Sequence, residues 1–373
     1  MNQACLIIAD SEKDANLYYA TQFLAPDPFI FIEVNQKKTL LMSDLEIDRA
    51  KNQAKVDDVL SLNQWIEKAS QKKSGKAGSL DAVDSLLKEY NINSIVVPAS
   101  FPLVYGDDLR HRGYTVEVKK DPFFEQRMIK TEEEIEKITQ VLRHTEEALE
   151  SAIQLIASSE IKSGFLYSHG QPLTSELIKK VINVTLMGFE CVAQHTIAAC
   201  GKDAVDPHNE GSGHFRADEP IVLDVFPQSS KTRYFADITR TVMKGRASEK
   251  VKKMYQAVLE GQEIAFRKIK DGADGQVIHQ EITDYFESME FHTGEKEGRI
   301  QGFFHGTGHG LGLEVHEAPR IGRSRETLKT GMVVTVEPGL YYLDNGGIRL
   351  EDMVVVTPNG VNNLTKAPKI LQV

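Results

Sequence analysis

Apolar and polar positions along the first 120 or so residues switch between two periods. Short β-branched runs at residues 5–9, 29–34 and 94–97 read as strands, whereas residues 56–68 and 80–90 carry apolar side chains at helical spacing. Strands alternating with helices predict a small α/β domain. The basic, Ser- and Gly-rich segment 68–79 (KASQKKSGKAGS) reads as a solvated loop, because it is short and offers no aromatic ring on which a base would stack.

Asp121-Pro122 and the following FFEQRMIK form a connector, which sets the expected domains at 1–122 and 123–373. Thr131 then opens a helix with Glu134 three residues on, the spacing of a capping box. Ile135, Ile138, Leu142, Leu149, Ala152, Ile153 and Ile156 keep helical spacing to about residue 157. A further helix over 174–187, ended by Gly188, precedes strand patterns at 220–226 and 234–243. The order then repeats, with helices over 248–270 and 276–289 and strands over 332–342 and 348–357. Two helix-helix-strand-strand rounds predict helices laid on a curved antiparallel sheet, an α+β architecture, although no repeat of the sequence itself accompanies them.

Length agrees with two domains, since 373 residues exceed one ordinary core. With 41% hydrophobic and 26% charged residues, a packed soluble fold is expected. A formal net charge of −10 argues against a nucleic-acid partner. No apolar run approaches the roughly 18 residues that span a bilayer, and the N-terminal MNQACLIIAD lacks a basic residue before its apolar run, unlike a signal peptide. Cys5, Cys191 and Cys200 are odd in number and form no CxxC pair, so reduced thiols in a cytoplasmic protein are expected, as buried filler rather than nucleophiles.

The candidate chemistry lies in the second domain. Three of eleven histidines fall in HGTGHGLGLEVHE, residues 305–317, where glycines let the backbone approach a ligand and let His309 and His316 be aimed from a loop. A phosphate cradle would need a P-loop Lys or a following helix, and a run ending in HEAPRI has neither. Asp224 interrupts the apolar IVLDVF, and Asp237 follows thirteen residues later in YFADITRT, so a hairpin would bring both carboxylates to one face. Glu337 after MVVTV and Glu351 in IRLEDMVVV repeat the pattern, with Arg349 on the same strand face as Glu351. Four carboxylates in a sheet interior repel one another and lose hydration, at several kcal/mol each if uncompensated. Arg349 supplies one positive charge; two divalent ions would balance all four acids, with His309 as a nitrogen ligand. An oxygen-dominated donor set without thiolate points to Mn, Co or Fe, with Zn also compatible. No HExxH occurs.

In this order, RMIKTEEEIEKI, VLDVFP, FADITRT, HGTGHGLGLEVHEAPRI, VTVEPGLYY and GGIRLED resemble the pita-bread metallopeptidases, in particular the branch of Xaa-Pro dipeptidases (prolidases) and Xaa-Pro aminopeptidases. The resemblance runs from about residue 125 to the end, and SEKDANLYYATQF is more loosely similar to the family's smaller N-terminal domain. It implies that Asp224 chelates one metal, that Asp237 and Glu351 bridge two, and that His309 and Glu337 complete the other. It also implies that His316 contacts substrate and stabilises the tetrahedral intermediate, that His208 in DPHNEGSG is a second active-site histidine, and that His305, Arg349 and Arg320 are supporting and substrate-contacting positions. The spacing from Asp224 to Asp237 departs from the family's usual eleven or so, so an enlarged hairpin tip, altered rim contacts and an intact centre are expected.

On this reading a dimetal-activated water attacks the carbonyl, His316 stabilises the oxyanion, and Glu337 carries the proton to the leaving nitrogen. The implied substrates are small peptides containing Xaa-Pro, with Arg320 favouring dipeptides if it captures a free carboxylate; homodimerisation and a membrane-free, cytoplasmic location are implied as well. The alternatives are an Xaa-Pro aminopeptidase acting on longer peptides, a hydrolase of the same family with methionine-terminal or other specificity, and a catalytically silent binding protein on the same scaffold. His195, His214 and Cys200 carry no motif and are expected to be structural.

Overall fold

The computed structural model describes residues 3–71 and 75–373. The chain divides into two compact units, Met1–Glu125 and Gln126–Val373.

The first unit is built on a six-stranded sheet in the order Asp58–Ser61, Lys37–Met42, Phe29–Val34, Gln3–Ala9, Ser94–Pro98, Thr115–Lys119. Phe29–Val34 and Lys37–Met42 are joined by two residues, Asn35 and Gln36, both with positive φ, the geometry that matches strand twist in a tight hairpin. Alternate residues of these strands feed different cores. Leu6, Ile30, Ile32 and Leu41 pack on one side with the Ser79–Glu89 helix, while Ile7, Phe29, Phe31 and Leu40 pack on the other with Ala15–Thr21.

Residues 56–68 are not one helix, as their periodicity suggests. Asp58–Ser61 is a strand paired in parallel with Thr39–Met42, and Ser61 then caps the helix Leu62–Ser70 by accepting from the Gln64 amide at 3.3 Å. Sheet pairing with a distant strand overrides the local period, and a serine serves as both strand end and cap. Residues 68–70 of the basic segment belong to this helix; Lys72, Lys73 and Ser74 lie outside the described residues.

In the second unit Glu132–Ala157 starts with the capping box formed by Thr131 and Glu134. This helix and Ser175–Gly188 precede an antiparallel sheet of Ile197–Cys200, Ile221–Val225 and Ile238–Val242. Glu249–Lys268 and Gly275–Ser288 cover a five-stranded sheet ordered Glu317–Ile321, Gly308–Gly310, Val333–Val336, Asp352–Thr357, Gly360–Asn363. Their apolar faces, with Val251, Met254, Val258, Ile278, Ile282 and Phe286, bury Val334, Val336, Val354 and Val356. No helix among the described residues is long and apolar enough to cross a membrane.

The two strands expected over 332–342 and 348–357 are each broken, and the breaks matter. Val333–Val336 belongs to the five-stranded sheet, but Gly339–Tyr342 pairs with Gly346–Arg349 as a separate hairpin. Pro338 has no N–H to extend a ladder, and the Glu337 amide turns to the Thr307 carbonyl at 2.7 Å. Glu351 likewise stands between Gly346–Arg349 and Asp352–Thr357, its amide bonded to the Thr239 carbonyl at 3.0 Å. Both glutamates therefore sit where the chain changes partners.

Candidate active site

A cavity of about 1000 Å³ in the second unit is lined by Asp224, Asp237, His309, Glu337, Glu351, His208, His305, His316, Arg320 and Arg349, so the ten positions singled out in the sequence share one space. Asp224 faces inward from the middle of its strand. Its register partner is Thr239, which places Asp237 two residues along on the same face. Asp237 itself precedes the strand rather than lying within it. Beyond them, the hairpin tip makes its own turn, with Ser229 Oγ accepting from the amides of Lys231 and Thr232.

His309 is held by a strand, not by a loop. Gly308–Gly310 is wedged so tightly that a Cβ on Gly308 would meet the Thr335 carbonyl oxygen at 2.0 Å, and one on Gly310 would meet the Ala318 oxygen at 2.4 Å. The glycines are thus needed for close strand packing. His309 Nδ1 faces the Gly310 carbonyl at 3.2 Å, and because a carbonyl only accepts, Nδ1 carries the proton and Nε2 is left with a bare lone pair. That lone pair points at Glu337 Oε1, 3.4 Å away, and Asp237 Oδ2, 3.7 Å away. Burial, with His316 beside it, lowers the His309 pKa to about 3, so the ring is neutral.

An acceptor facing acceptors calls for a cation between them. The carboxylates tell the same story: Asp224 Oδ1, Asp237 Oδ1 and Glu351 Oε1 are buried and take no hydrogen bond. One ligand atom each from Asp237, His309 and Glu351 lies within 4.8 Å of the others. Hard oxygens with one imidazole suit a divalent cation, and the residues present fit one.

Arg349 organises the opposite oxygens. Buried, it donates to Asp224 Oδ2 at 2.8 Å, to Thr239 Oγ1 at 3.1 Å and to the Tyr341 hydroxyl at 2.9 Å. Thr239 in turn donates to Glu351 Oε2 at 2.9 Å. Tyr341 and His305 Nε2 are 2.9 Å apart, and since His305 Nδ1 faces the Gly306 carbonyl, Nε2 accepts from the tyrosine. One guanidinium therefore orients Asp224 directly, Glu351 through a threonine and His305 through a tyrosine. Burial opposes its charge, but Tyr341, Asp224 and Glu337 hold Arg349 well above its usual pKa.

The remaining residues form the rim. His316 stands edge-on to His309 with ring centroids 4.3 Å apart, and burial lowers its pKa. Arg320 is exposed, and no described carboxylate pairs with its guanidinium; its amide donates to Glu326. His208 is exposed on the wall. His195, set aside for want of a motif, also lines the cavity, 2.9 Å from Glu210 Oε1. His214 lies apart, bonded to the Leu166 carbonyl at 2.6 Å and stacked on Phe165. The Cys200 thiol is pushed up to about 12 by burial, which leaves it inert. Thr239, Thr335 and Tyr341 escape sequence reasoning, because a hydroxyl in a strand marks nothing until its partner is known.

Without divalent cations the acids must share protons. Burial first, and then one another's charges, hold Asp237 and Glu351 well above the carboxylate range, and burial pushes Glu337 up to about 7 against the pull of Arg349. A carboxyl whose folded pKa lies above its unfolded value of about 4 stabilises the fold below that pH and loses the contribution as pH rises through the folded value. The Tm of EDTA-treated protein should therefore fall between pH 4.5 and 8, and added Mn²⁺ should restore it at the upper end. A flat or rising Tm in EDTA would show that these carboxylates are not crowded.

Residues 136–358 match the family described as Metallopeptidase family M24. The chain is similar to a Xaa-Pro dipeptidase of Pyrococcus furiosus, 30% identical over 368 residues, covering 96% of this chain and 93% of the relative. Among solved structures it is similar to the X-Pro aminopeptidase of Thermotoga maritima (TM-score 0.81, 26% identity, covering 100% of this chain and 98% of that one). It is also similar to the prolidase of Pyrococcus furiosus (TM-score 0.78, 26% identity, covering 98% and 97%).

Proposed function

The chain belongs to metallopeptidase family M24 and has its pita-bread fold, and from that premise we propose that it hydrolyses Xaa-Pro bonds as a dipeptidase, with two divalent ions, Mn²⁺ or Co²⁺, held by Asp224, Asp237, His309, Glu337 and Glu351. The observation that carries the reading is the set of buried, unpartnered oxygens on Asp224, Asp237 and Glu351 facing a neutral His309. Ionised, such a set calls for cations to balance it, and the relatives with this chain's fold are named for Xaa-Pro cleavage.

When bound, the ions supply Lewis acidity and water acidified toward neutrality. The protein supplies the rest. Asp224 is held by Arg349, and Glu351 by Thr239, so the donor oxygens are pre-aimed. His316 donates to the oxygen of the scissile carbonyl as charge develops there. Glu337, beside His309 and less buried than the other acids, takes the proton of the attacking water on the carboxylate oxygen not turned to His309 and delivers it to the leaving proline nitrogen. His208, His305 and Arg320 contact substrate. The imide nitrogen has no N–H to offer a strand-like partner, so recognition falls to the shape of the wall and to Arg320, which binds the dipeptide's carboxylate.

The test compares Ala-Pro with Ala-Pro-Ala under Mn²⁺, Co²⁺ and Zn²⁺, in the wild type and in Arg320→Met. Ala-Pro should be cut faster by the wild type, and loss of the charged hydrogen bond in the variant should raise its KM by about ten- to hundredfold with kcat little changed. Failure to cut either peptide with any of these metals would refute the assignment. Preference for Ala-Pro-Ala with Arg320→Met unchanged would favour the second reading, an Xaa-Pro aminopeptidase, the activity for which the Thermotoga maritima neighbour is named. The three thiols, Cys5, Cys191 and Cys200, are unpaired, which supports a reducing, cytoplasmic setting; homodimerisation is part of the same proposal.

A further inference from the structure

The segment that carries His316 has little regular structure of its own. Residues 312–316 are bends between Gly308–Gly310 and Glu317–Ile321, and no ladder bond fixes the imidazole. Its flanking glutamates are fixed instead. Arg127 NH2 donates to Glu314 Oε2 at 2.8 Å and to Glu317 Oε2 at 2.7 Å, and Lys130 Nζ donates to Glu317 Oε1 at 2.6 Å. The two cations come from the stretch before the Glu132–Ala157 helix, and both are buried, with side-chain exposures of 7% for Arg127 and 2% for Lys130.

Burying an ammonium and a guanidinium costs several kcal/mol per ion before pairing, so such a pair is weak evidence of a stabilising role and better evidence of a geometric one. Glu314 and Glu317 straddle His316, and one guanidinium nitrogen grips both. The third anchor is Gly312. Its carbonyl accepts from the Phe235 amide at 2.8 Å, two residues before Asp237, and a Cβ there would lie 2.6 Å from Glu317 Oε1 and 3.1 Å from the Lys130 Cε. The loop is therefore tied at once to the basic segment and to the strand end that carries Asp237.

We propose that Arg127 and Lys130 are positioning residues that clamp Glu314 and Glu317 and so set the place of His316 over the cavity. This rests on the role assigned to His316 above. Loss of the Lys130 contact lets the loop relax and moves the imidazole without touching the donor set of Asp224, Asp237, His309, Glu337 and Glu351.

The test uses full-length Lys130→Met, with Glu317→Gln as a second variant that keeps shape and removes charge, and reads three quantities. In metal-free protein labelled with 15N-histidine, the His316 signals, assigned by their loss in His316→Gln, should shift or broaden in both variants while those of His214, bonded to the Leu166 carbonyl away from the cavity, stay put. On Ala-Pro, kcat should fall by about a hundredfold, the scale of an ångström-sized misplacement, with bound Mn²⁺ and KM nearly unchanged. In a His316→Ala background, Lys130→Met should cost little more, because both changes remove the same contribution. The clamp is refuted if the His316 signals do not move, if the losses multiply independently, or if bound Mn²⁺ falls in step with activity. Wild-type protein that cleaves no Xaa-Pro peptide would refute the functional reading instead, and the histidine signals would still decide the clamp.

Discussion

Asp237→Asn is expected to abolish Mn²⁺-dependent cleavage, lowering kcat/KM by at least about a thousandfold, or about 4 kcal/mol of transition-state stabilisation. Asp237 contributes Oδ2 toward His309 and an unpartnered Oδ1, so it meets the donor set from two sides. An amide presents one weak oxygen and a pair of N–H donors, and metal content by mass spectrometry should fall with activity. Stability should move the other way. In EDTA at pH 8 the variant lacks one of the crowded buried charges, so its Tm should equal or exceed that of EDTA-treated wild type, whereas in Mn²⁺ the wild type should be the more stable. A variant that keeps its metal and its rate would remove Asp237 from the centre.

Arg240→Met should cost about 3–5 kcal/mol, the range for stranding one partner of a buried ion pair. Arg240 and Asp352 are 2% and 1% exposed, and their contact is 2.8 Å. The same guanidinium donates to the carbonyls of Thr239, Glu351, Ala367 and Pro368 at 2.7–3.1 Å, so its loss also strips four carbonyls of a donor. Lys369 and Asn363 hold the other Asp352 oxygen, which leaves a charged remnant under-compensated rather than free. At about 2–4 °C per kcal/mol for a unit of this size, Tm should drop by roughly 10 °C. Replacing both partners, in Arg240→Met/Asp352→Leu, should recover part of the loss. A cost below about 1 kcal/mol would mean that the network does not join the two strands.

Arg240 also marks where sequence reading stops. It lies in FADITRT, three residues after Asp237, and looks like an exposed strand cation. What makes it interior is the chain returning more than a hundred residues later, with Glu351 and Asp352 beside it. Thr239 and Tyr341 are similar, ordinary strand residues that become the two arms of Arg349. The same holds for the strands at 332–342 and 348–357, whose apolar pattern is continuous although the pairing breaks at Glu337 and Glu351.

From sequence alone come the α+β class, the capped helix at Thr131, and the acids and histidine that the fold gathers around one cavity, because a charge inside an apolar strand and a histidine among glycines are local anomalies that demand compensation. Tertiary structure alone decided which oxygens stay unpartnered, that His309 offers Nε2, and that Arg127 and Lys130 reach across 190 and 187 residues to the loop of His316. Periodicity reports the face a residue turns inward, whereas hydrogen-bond partners depend on which distant strand arrives there, and that is a property of the packed chain.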